Sequence, residues 1–313
     1  MEKFNDLITV DEKNKRILCR VGWALSALVI LSQVGGVVVS IIGNLFFNKF
    51  AQTSIFTFLS GVMPIYLIAF PVFATIIKKI PKRISIEKRK LNIGQIMKLI
   101  MISFGALYIF NILTNFINLG ISMLKGSQII NPLSSFLENA NIYQITFFVA
   151  ILAPIMEEII FRGMLISRLR QFGDEVCIFV SAFSFAMFHG NLSQFFYAFA
   201  LGCIFAYTVL RCGTIKYAIL LHMIINFVGS VVSLKIALTG NIILYGLLSF
   251  FVIAMILGSI ILIILEKHKI VLNQGNIYLT KKEKFKLIFN NSGMMTYAAL
   301  SLILIIITTF LSK

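Results

Sequence analysis

Two adjacent glutamates, Glu157 and Glu158, lie inside an apolar stretch of the sequence, and Arg162 follows four residues after the second. Charged side chains within a membrane-spanning segment are costly and usually functional. On a helix, Glu158 and Arg162 are spaced at i and i+4 and can pair, whereas Glu157 points about 100 degrees away and is left without that partner. The spacing indicates that one carboxylate is structural and the other chemical.

Three further features could bring water and proton-transfer groups to Glu157. Pro154, three residues upstream, frees a backbone carbonyl in the preceding turn and can kink the helix or admit water. Of only three histidines, His189 ends a short apolar helix, and His222 lies in another apolar run with Asn226 at i+4 on the same face. A carboxylate with imidazoles nearby is suited to activating water for hydrolysis.

A purely structural interpretation of these residues is also open. The two acids and Arg162 can form a buried ion-pair triad that fixes helix packing. A lone histidine in an apolar helix is more often a hydrogen-bonded packing element, and Asn226 alone would be interpreted as a hydrogen bond between helices. The combination of paired glutamates with two intramembrane histidines favours chemistry.

Three short motifs follow one another on successive helices: Glu157-Glu158-xxx-Arg162, Phe185-xxx-His189 and His222-xxx-Asn226. Together they resemble the CAAX-protease and bacteriocin-processing (CPBP, or Abi) family, whose members are membrane-embedded endopeptidases and include the type II CAAX prenyl proteases. The resemblance covers about 143–229, and the motifs are specific in combination although each is weak alone. The rest of the chain carries no motif of the family, so substrate choice does not transfer.

The resemblance implies catalytic roles for four residues. Glu157 would act as general base and, with His189, would activate a water molecule for attack on a peptide bond. His222 and Asn226 would then donate hydrogen bonds to the oxyanion of the tetrahedral intermediate. These roles agree with the chemistry that the side chains offer.

The sequence leaves metal dependence open. Members of the family have been described both as metal-dependent and as glutamate-dependent proteases. Glu157, His189 and His222 would also make a three-ligand zinc site with an open position for water. The chain has no HExxH motif and these residues lie on three helices, so a site without a cofactor is favoured. In that site, Glu158 and Arg162 would give structural support.

The hydropathy pattern predicts an all-α, polytopic transmembrane helix bundle. Of the 313 residues, 59% are hydrophobic, and repeated apolar runs are close to the length needed to cross a bilayer. About eight or nine spans are expected, with the fifth so short that spans five and six could form a re-entrant hairpin around His189. The predicted ranges are 21–47, 54–77, 97–124, 143–166, 176–189, 192–210, 215–234, 241–265 and 294–311. Residues 1–313 are expected to form a single integral membrane domain, with the family-like core at about 143–229.

The formal charge of +16 is explained by membrane topology rather than by nucleic-acid binding, because the basic residues alternate between the two sides. One side holds 23 Lys and Arg residues and the other holds Lys49, Lys125, Lys235 and Lys313. By the positive-inside rule, the N-terminus is cytoplasmic. Two basic segments, 78–98 and 281–289, are expected to form either short helices against anionic lipid headgroups or solvated loops.

These observations predict an intramembrane endopeptidase that cuts a membrane-associated peptide or protein in a bacterial plasma membrane. The Ile-, Lys-, Phe- and Asn-rich composition is typical of a bacterial homologue, for which the resemblance suggests peptide maturation or self-immunity to bacteriocins. The alternative is a non-catalytic immunity factor or scaffold whose buried charges are structural. A transporter is disfavoured because no repeated halves are visible. Membrane lipids are the other expected partner, and neither the oligomeric state nor the side on which a cavity opens follows from the sequence.

Overall fold

A computed structural model describes residues 2–82, 84, 87–129, 131, 137 and 140–311. Arg83 and Lys313, which are among the basic residues counted above, lie outside this part. The helices of the described chain are α1 (Glu2–Phe46), α2 (Ser54–Lys78), α3 (Ile93–Lys125), α4 (Ile142–Phe172), α5 (Asp174–Phe188), α6 (Leu192–Cys212), α7 (Lys216–Thr239), α8 (Ile242–Lys269), α9 (Lys281–Phe289) and α10 (Ser292–Phe310), with one additional turn at Asn48–Ala51. The predicted all-α architecture is confirmed.

Eight of the described helices are long and apolar enough to cross a membrane, namely α1 to α4, α6 to α8 and α10. Helix α5 has 15 residues and corresponds to the short fifth span of the prediction. It packs along α6, to which it is joined by a tight turn with Gly190 in the left-handed region at φ +61°. The chain is therefore an integral membrane protein built around a hairpin of one short and one full-length helix.

Among the described helices, α5 and α6 are the most buried, and they pack against α4. Helix α6 contacts α5, α3 and α7, while α1 packs against α2 and α10. Fully buried aromatic side chains such as Phe161 on α4, Phe185 on α5 and Phe205 on α6 fill this region. Helix α8, in contrast, exposes apolar side chains along most of its length, as expected for a surface that lipid covers.

Glycine allows close helix contact next to the buried charges. A β-carbon on Gly202 of α6 would lie 2.9 Å from the backbone of Ala182 on α5 and 3.3 Å from Nη2 of Arg162. Small residues permit such close approach of membrane helices. The contact therefore brings α5 and α6 against the Arg162 side chain of α4.

The two basic segments have different structures. Helix α9 at Lys281–Phe289 is one of the expected short helices. The described residues between 79 and 92 form no helix, so of the two alternatives for that segment the loop is the one present. Pro81 disfavours a helical conformation at the residue before it, and the backbone amides of Arg89 and Leu91 instead bond to the Cys212 carbonyl and the Tyr217 hydroxyl.

Candidate active site

The pairing of Glu158 with Arg162 is present in the structure. Nη1 of Arg162 lies 2.9 Å from Oε1 of Glu158, and neither side chain is exposed. Among the described residues, Nε and Nη2 of Arg162 have no hydrogen-bond partner. The guanidinium lies instead over the rings of Phe185 and Phe205, at 4.3 and 5.5 Å from their centroids. Helix α4 therefore supplies a buried charge pair that two aromatic side chains hold in place.

His222 of α7 lies between the two glutamates. Its Nδ1 atom is 3.0 Å from Oε1 of Glu158, while Nε2 is 3.6 Å from Oε2 of Glu157. A carboxylate only accepts, so Nδ1 donates the hydrogen bond to Glu158 and the ring presents Nε2 to Glu157. Glu157 keeps 17% of its side-chain surface exposed, in contrast to the fully buried Glu158. The structure thus separates a held carboxylate from an accessible one.

Asn226 provides a hydrogen-bond donor at a place where Pro154 has no backbone N–H. The segment Ile145–Leu152 of α4 is a π-helix, in which each backbone carbonyl accepts a hydrogen bond from the N–H of the residue five positions later. For the Val149 carbonyl, that residue is Pro154, which has no N–H. Nδ2 of Asn226 donates to this carbonyl at 3.0 Å. The carbonyl that was expected to admit water is therefore used to join α4 and α7, and the second amide hydrogen of Asn226 is left for another acceptor.

His189 caps the short helix α5. Its Nδ1 atom is 2.9 Å from the carbonyl oxygen of Phe185, and its ring packs edge-on to the Phe185 ring. Because a carbonyl cannot donate, Nδ1 carries the hydrogen and Nε2 is left as the free ring nitrogen. Asn191 fixes the following turn, since its Nδ2 donates to the His189 carbonyl at 2.9 Å. Local helix-end geometry therefore orients this imidazole.

One cavity of about 480 Å³ brings the four predicted catalytic residues together. Glu157, His189, His222 and Asn226 all line it, although they come from three separate helix regions. Glu158 and Arg162 are not among its lining residues and lie behind the wall. Most of the remaining wall is apolar, with contributions from α2, α3, α4, α6 and α7.

Several polar residues of this cavity were missed by sequence analysis. Tyr108 and Asn111 of α3 and Gln194 and Tyr197 of α6 line the same wall. An isolated amide in an apolar span is itself a signal of function, and Asn111 and Gln194 both carry that signal. The criterion that singled out the intramembrane glutamates, a polar side chain within an apolar span, would also have predicted Asn111 and Gln194.

The three candidate zinc ligands line the cavity but do not form a metal site as they are placed. Within the part of the chain that the structure describes, no three His, Cys, Asp or Glu side chains are grouped so that they could hold a metal ion. His222 has one ring nitrogen bonded to Glu158 and the other directed at Glu157. The three side chains are of the types that bind catalytic zinc, but their arrangement in this structure differs from that of a three-ligand zinc site.

Residues 139–228 match the family described as Type II CAAX prenyl endopeptidase Rce1-like. No curated protein and no solved structure matches the chain. The matched segment begins just before α4 and ends within α7, so it contains every residue of the three motifs and the helices that position them. The resemblance inferred from those motifs is thereby confirmed over residues 139–228, the segment that contains the four predicted catalytic residues.

Proposed function

We propose that this protein is an intramembrane endopeptidase that hydrolyses a peptide bond of a membrane-associated peptide or protein, with water activated by glutamate and histidine and without a metal ion. The observation that carries the proposal is the asymmetry of the paired glutamates. Glu158 is fully buried and bonded to Arg162 and His222, whereas Glu157 faces the cavity opposite the Nε2 atom of His222. A carboxylate with access to a cavity, beside two imidazoles, can take a proton from water.

In the proposed reaction, Glu157 accepts a proton from a water molecule that His189 helps to orient through its free Nε2 atom. The resulting hydroxide attacks the carbonyl carbon of the substrate peptide bond. The proton held by Glu157 then passes to the leaving amine as the carbon–nitrogen bond breaks. The products are an amine and a carboxylic acid, which loses its proton to water, and the enzyme returns to its initial state.

In the proposed mechanism, His222 and Asn226 stabilise the oxyanion. Donation from Nε2 of His222 requires a ring that is protonated on both nitrogens, because Nδ1 already donates to Glu158. The carboxylates of Glu157 and Glu158 lie on either side of this ring, and Glu158 is also paired with Arg162. Asn226 has an amide hydrogen beyond the one bound to Val149. Each such donor can lower the barrier by about 3 kcal/mol.

The biological setting follows from the sequence as a further part of the proposal. A bacterial plasma membrane and a cytoplasmic N-terminus agree with the composition and with the distribution of basic residues. Within that setting, peptide maturation and self-immunity to bacteriocins are the roles that the family resemblance suggests. Both require cleavage of a peptide, so one experiment addresses them together.

The test is a comparison of the peptides found in cells that express the wild type, Glu157→Gln or His189→Ala. Glu87→Gln serves as the matched control, because Glu87 is exposed and lies outside the cavity. We expect specific peptides to disappear in both cavity variants and to persist in the control, with expression and thermal stability in detergent retained. Identical peptide profiles in all variants, with reduced stability in the cavity variants, would instead support a non-catalytic immunity factor or scaffold.

A further inference from the structure

The helix bundle has two chemically different ends. The basic end holds the Lys- and Arg-rich helix termini and connections, which contact one another: Arg20 donates to the Lys79 carbonyl, and Lys98 pairs with Glu266. The opposite end holds the turn at Gly190, whose carbonyl accepts from Thr308 at 3.0 Å. It carries only three described basic residues, Lys49, Lys125 and Lys235. These contacts show that the charge asymmetry seen in the sequence is an asymmetry of the folded bundle.

The catalytic cavity extends from mid-bundle toward the opposite end. Gln194 and Tyr197 lie in the first two turns of α6, which runs from the Gly190 turn to the basic end. Ser233 lies on α7 close to where that helix ends at Thr239, and Asn131 and Leu137 belong to the connection between α3 and α4 at the same end. The wall thus continues from the catalytic groups to the connections that are poor in basic residues.

The catalytic residues mark the inner limit of the cavity. His222 is the lining residue nearest to the basic end along α7, six residues after Lys216, or about 9 Å at a rise of 1.5 Å per residue. Glu157 lies at the midpoint of α4. No described residue of a basic-end connection contributes to the wall. The cavity is therefore a recess whose floor is the active site.

The basic end is closed by packed chain. Asp174, fully buried, forms ion pairs with Arg170 and Arg211, and its Oδ2 accepts from the backbone N–H of Asn273 at 2.8 Å. The connection after α8 lies directly on this turn, since a β-carbon on Gly275 would collide with the Gln171 carbonyl oxygen. Gln171 and Phe172 are almost wholly buried beneath it. This layer separates the active site from the basic side.

We propose that substrate reaches the active site only from the end opposite the basic residues, which the positive-inside rule places on the extracytoplasmic side. The substrate class is accordingly a peptide segment presented at the outer face of the membrane, such as an exported peptide or an extracytoplasmic part of a membrane protein. A lipidated C-terminus held at the cytoplasmic leaflet would meet the closed end. This substrate assignment rests on the proposed endopeptidase function, whereas the side of the opening does not.

The test is cysteine accessibility in intact cells and in inverted membrane vesicles. Single cysteines are introduced into a stable variant that lacks Cys19, Cys177, Cys203 and Cys212. Ala153→Cys reports on the cavity wall one turn before Glu157, and Ala218→Cys is its buried control near the basic end. Lys235→Cys and Lys282→Cys mark the opposite and the basic end. The probe is a membrane-impermeant, positively charged methanethiosulfonate reagent, and modification is measured by mass.

We expect Ala153→Cys and Lys235→Cys to be modified in intact cells, Lys282→Cys only in inverted vesicles, and Ala218→Cys in neither. Modification of Ala153→Cys only from the side of Lys282→Cys, or from neither side, would overturn the proposed opening. If Lys282→Cys reacts in intact cells, the orientation is reversed and the extracytoplasmic substrate class is wrong. None of these outcomes depends on catalysis, so a failed peptide-cleavage test cannot be confused with a failed accessibility test.

Discussion

Among the described residues, two carboxylate–arginine clusters are buried, and they differ in what surrounds them. Glu158 pairs with Arg162 in mid-bundle, and Asp174 pairs with Arg170 and Arg211 at the basic end. Both carboxylates are fully buried, and both have an arginine four residues away in sequence. Only the first cluster faces a cavity through a histidine and a second carboxylate.

The comparison shows that a buried ion pair alone does not indicate an active site. In the Asp174 cluster, the carboxylate binds two arginines and a backbone N–H. It thereby joins the α4–α5 turn, the end of α6 and the connection after α8. In the Glu158 cluster, the same kind of pair fixes His222, which leaves Glu157 as the acid without an arginine of its own. Catalysis is therefore expected at Glu157, the carboxylate that has no arginine partner.

The largest effect is expected for Glu157→Gln. We predict that kcat falls by a factor of about 10² to 10⁴, because the amide cannot accept the proton of water. The thermal stability in detergent should stay close to that of the wild type, since the side chain is nearly isosteric and is not bonded to an arginine. Rates on a peptide identified by peptidomics give the measurement. A variant with normal kcat would contradict the assignment of the catalytic base.

A somewhat smaller effect is expected for Asn226→Ala. Loss of one oxyanion donor should lower kcat by a factor of about 10² to 10³ with little change in KM. Stability should fall by about 1 kcal/mol as well, because the Val149 carbonyl loses its donor and Pro154 cannot replace it. Parallel measurement of kcat and of the thermal midpoint separates the two contributions. An effect on stability alone would leave Asn226 as a link between α4 and α7.

Asp174→Asn should show the opposite pattern from Glu157→Gln. Breaking a buried ion pair by neutralising one partner costs about 3 kcal/mol of folding stability. The specific activity of the folded fraction should stay the same, because Asp174 lies outside the cavity. Thermal unfolding and active-enzyme concentration measured on the same sample provide the test. A selective loss of kcat would show that the closed end takes part in catalysis.

No effect is expected from metal removal. Dialysis against a strong zinc chelator should leave peptide cleavage unchanged, and the purified protein should contain zinc below one equivalent. A loss of activity that added Zn²⁺ restores would instead support a metalloprotease in which Glu157, His189 and His222 rearrange around the ion.

Much of the fold was accessible from hydropathy. The predicted spans correspond to the observed helices, including the short α5, because the length and apolarity of a membrane helix are local properties of the sequence. The sequence left 78–98 open between a short helix and a loop, because the choice depends on hydrogen bonds to the ends of α6 and α7, a tertiary contact that composition does not encode.

Within the site, the sequence by itself determined the relations that lie within one helix. The Glu158–Arg162 pair and the shared face of His222 and Asn226 follow from a repeat of 3.6 residues per turn. Only the tertiary structure decided that His222 bonds to Glu158, that Asn226 bonds to Val149, and that Glu157, His189, His222 and Asn226 line one cavity. These depend on how the helices are rotated and tilted against one another. Hydropathy does not specify that arrangement, because lipid and protein interior are equally apolar and the choice is made by close packing and a few polar contacts between helices.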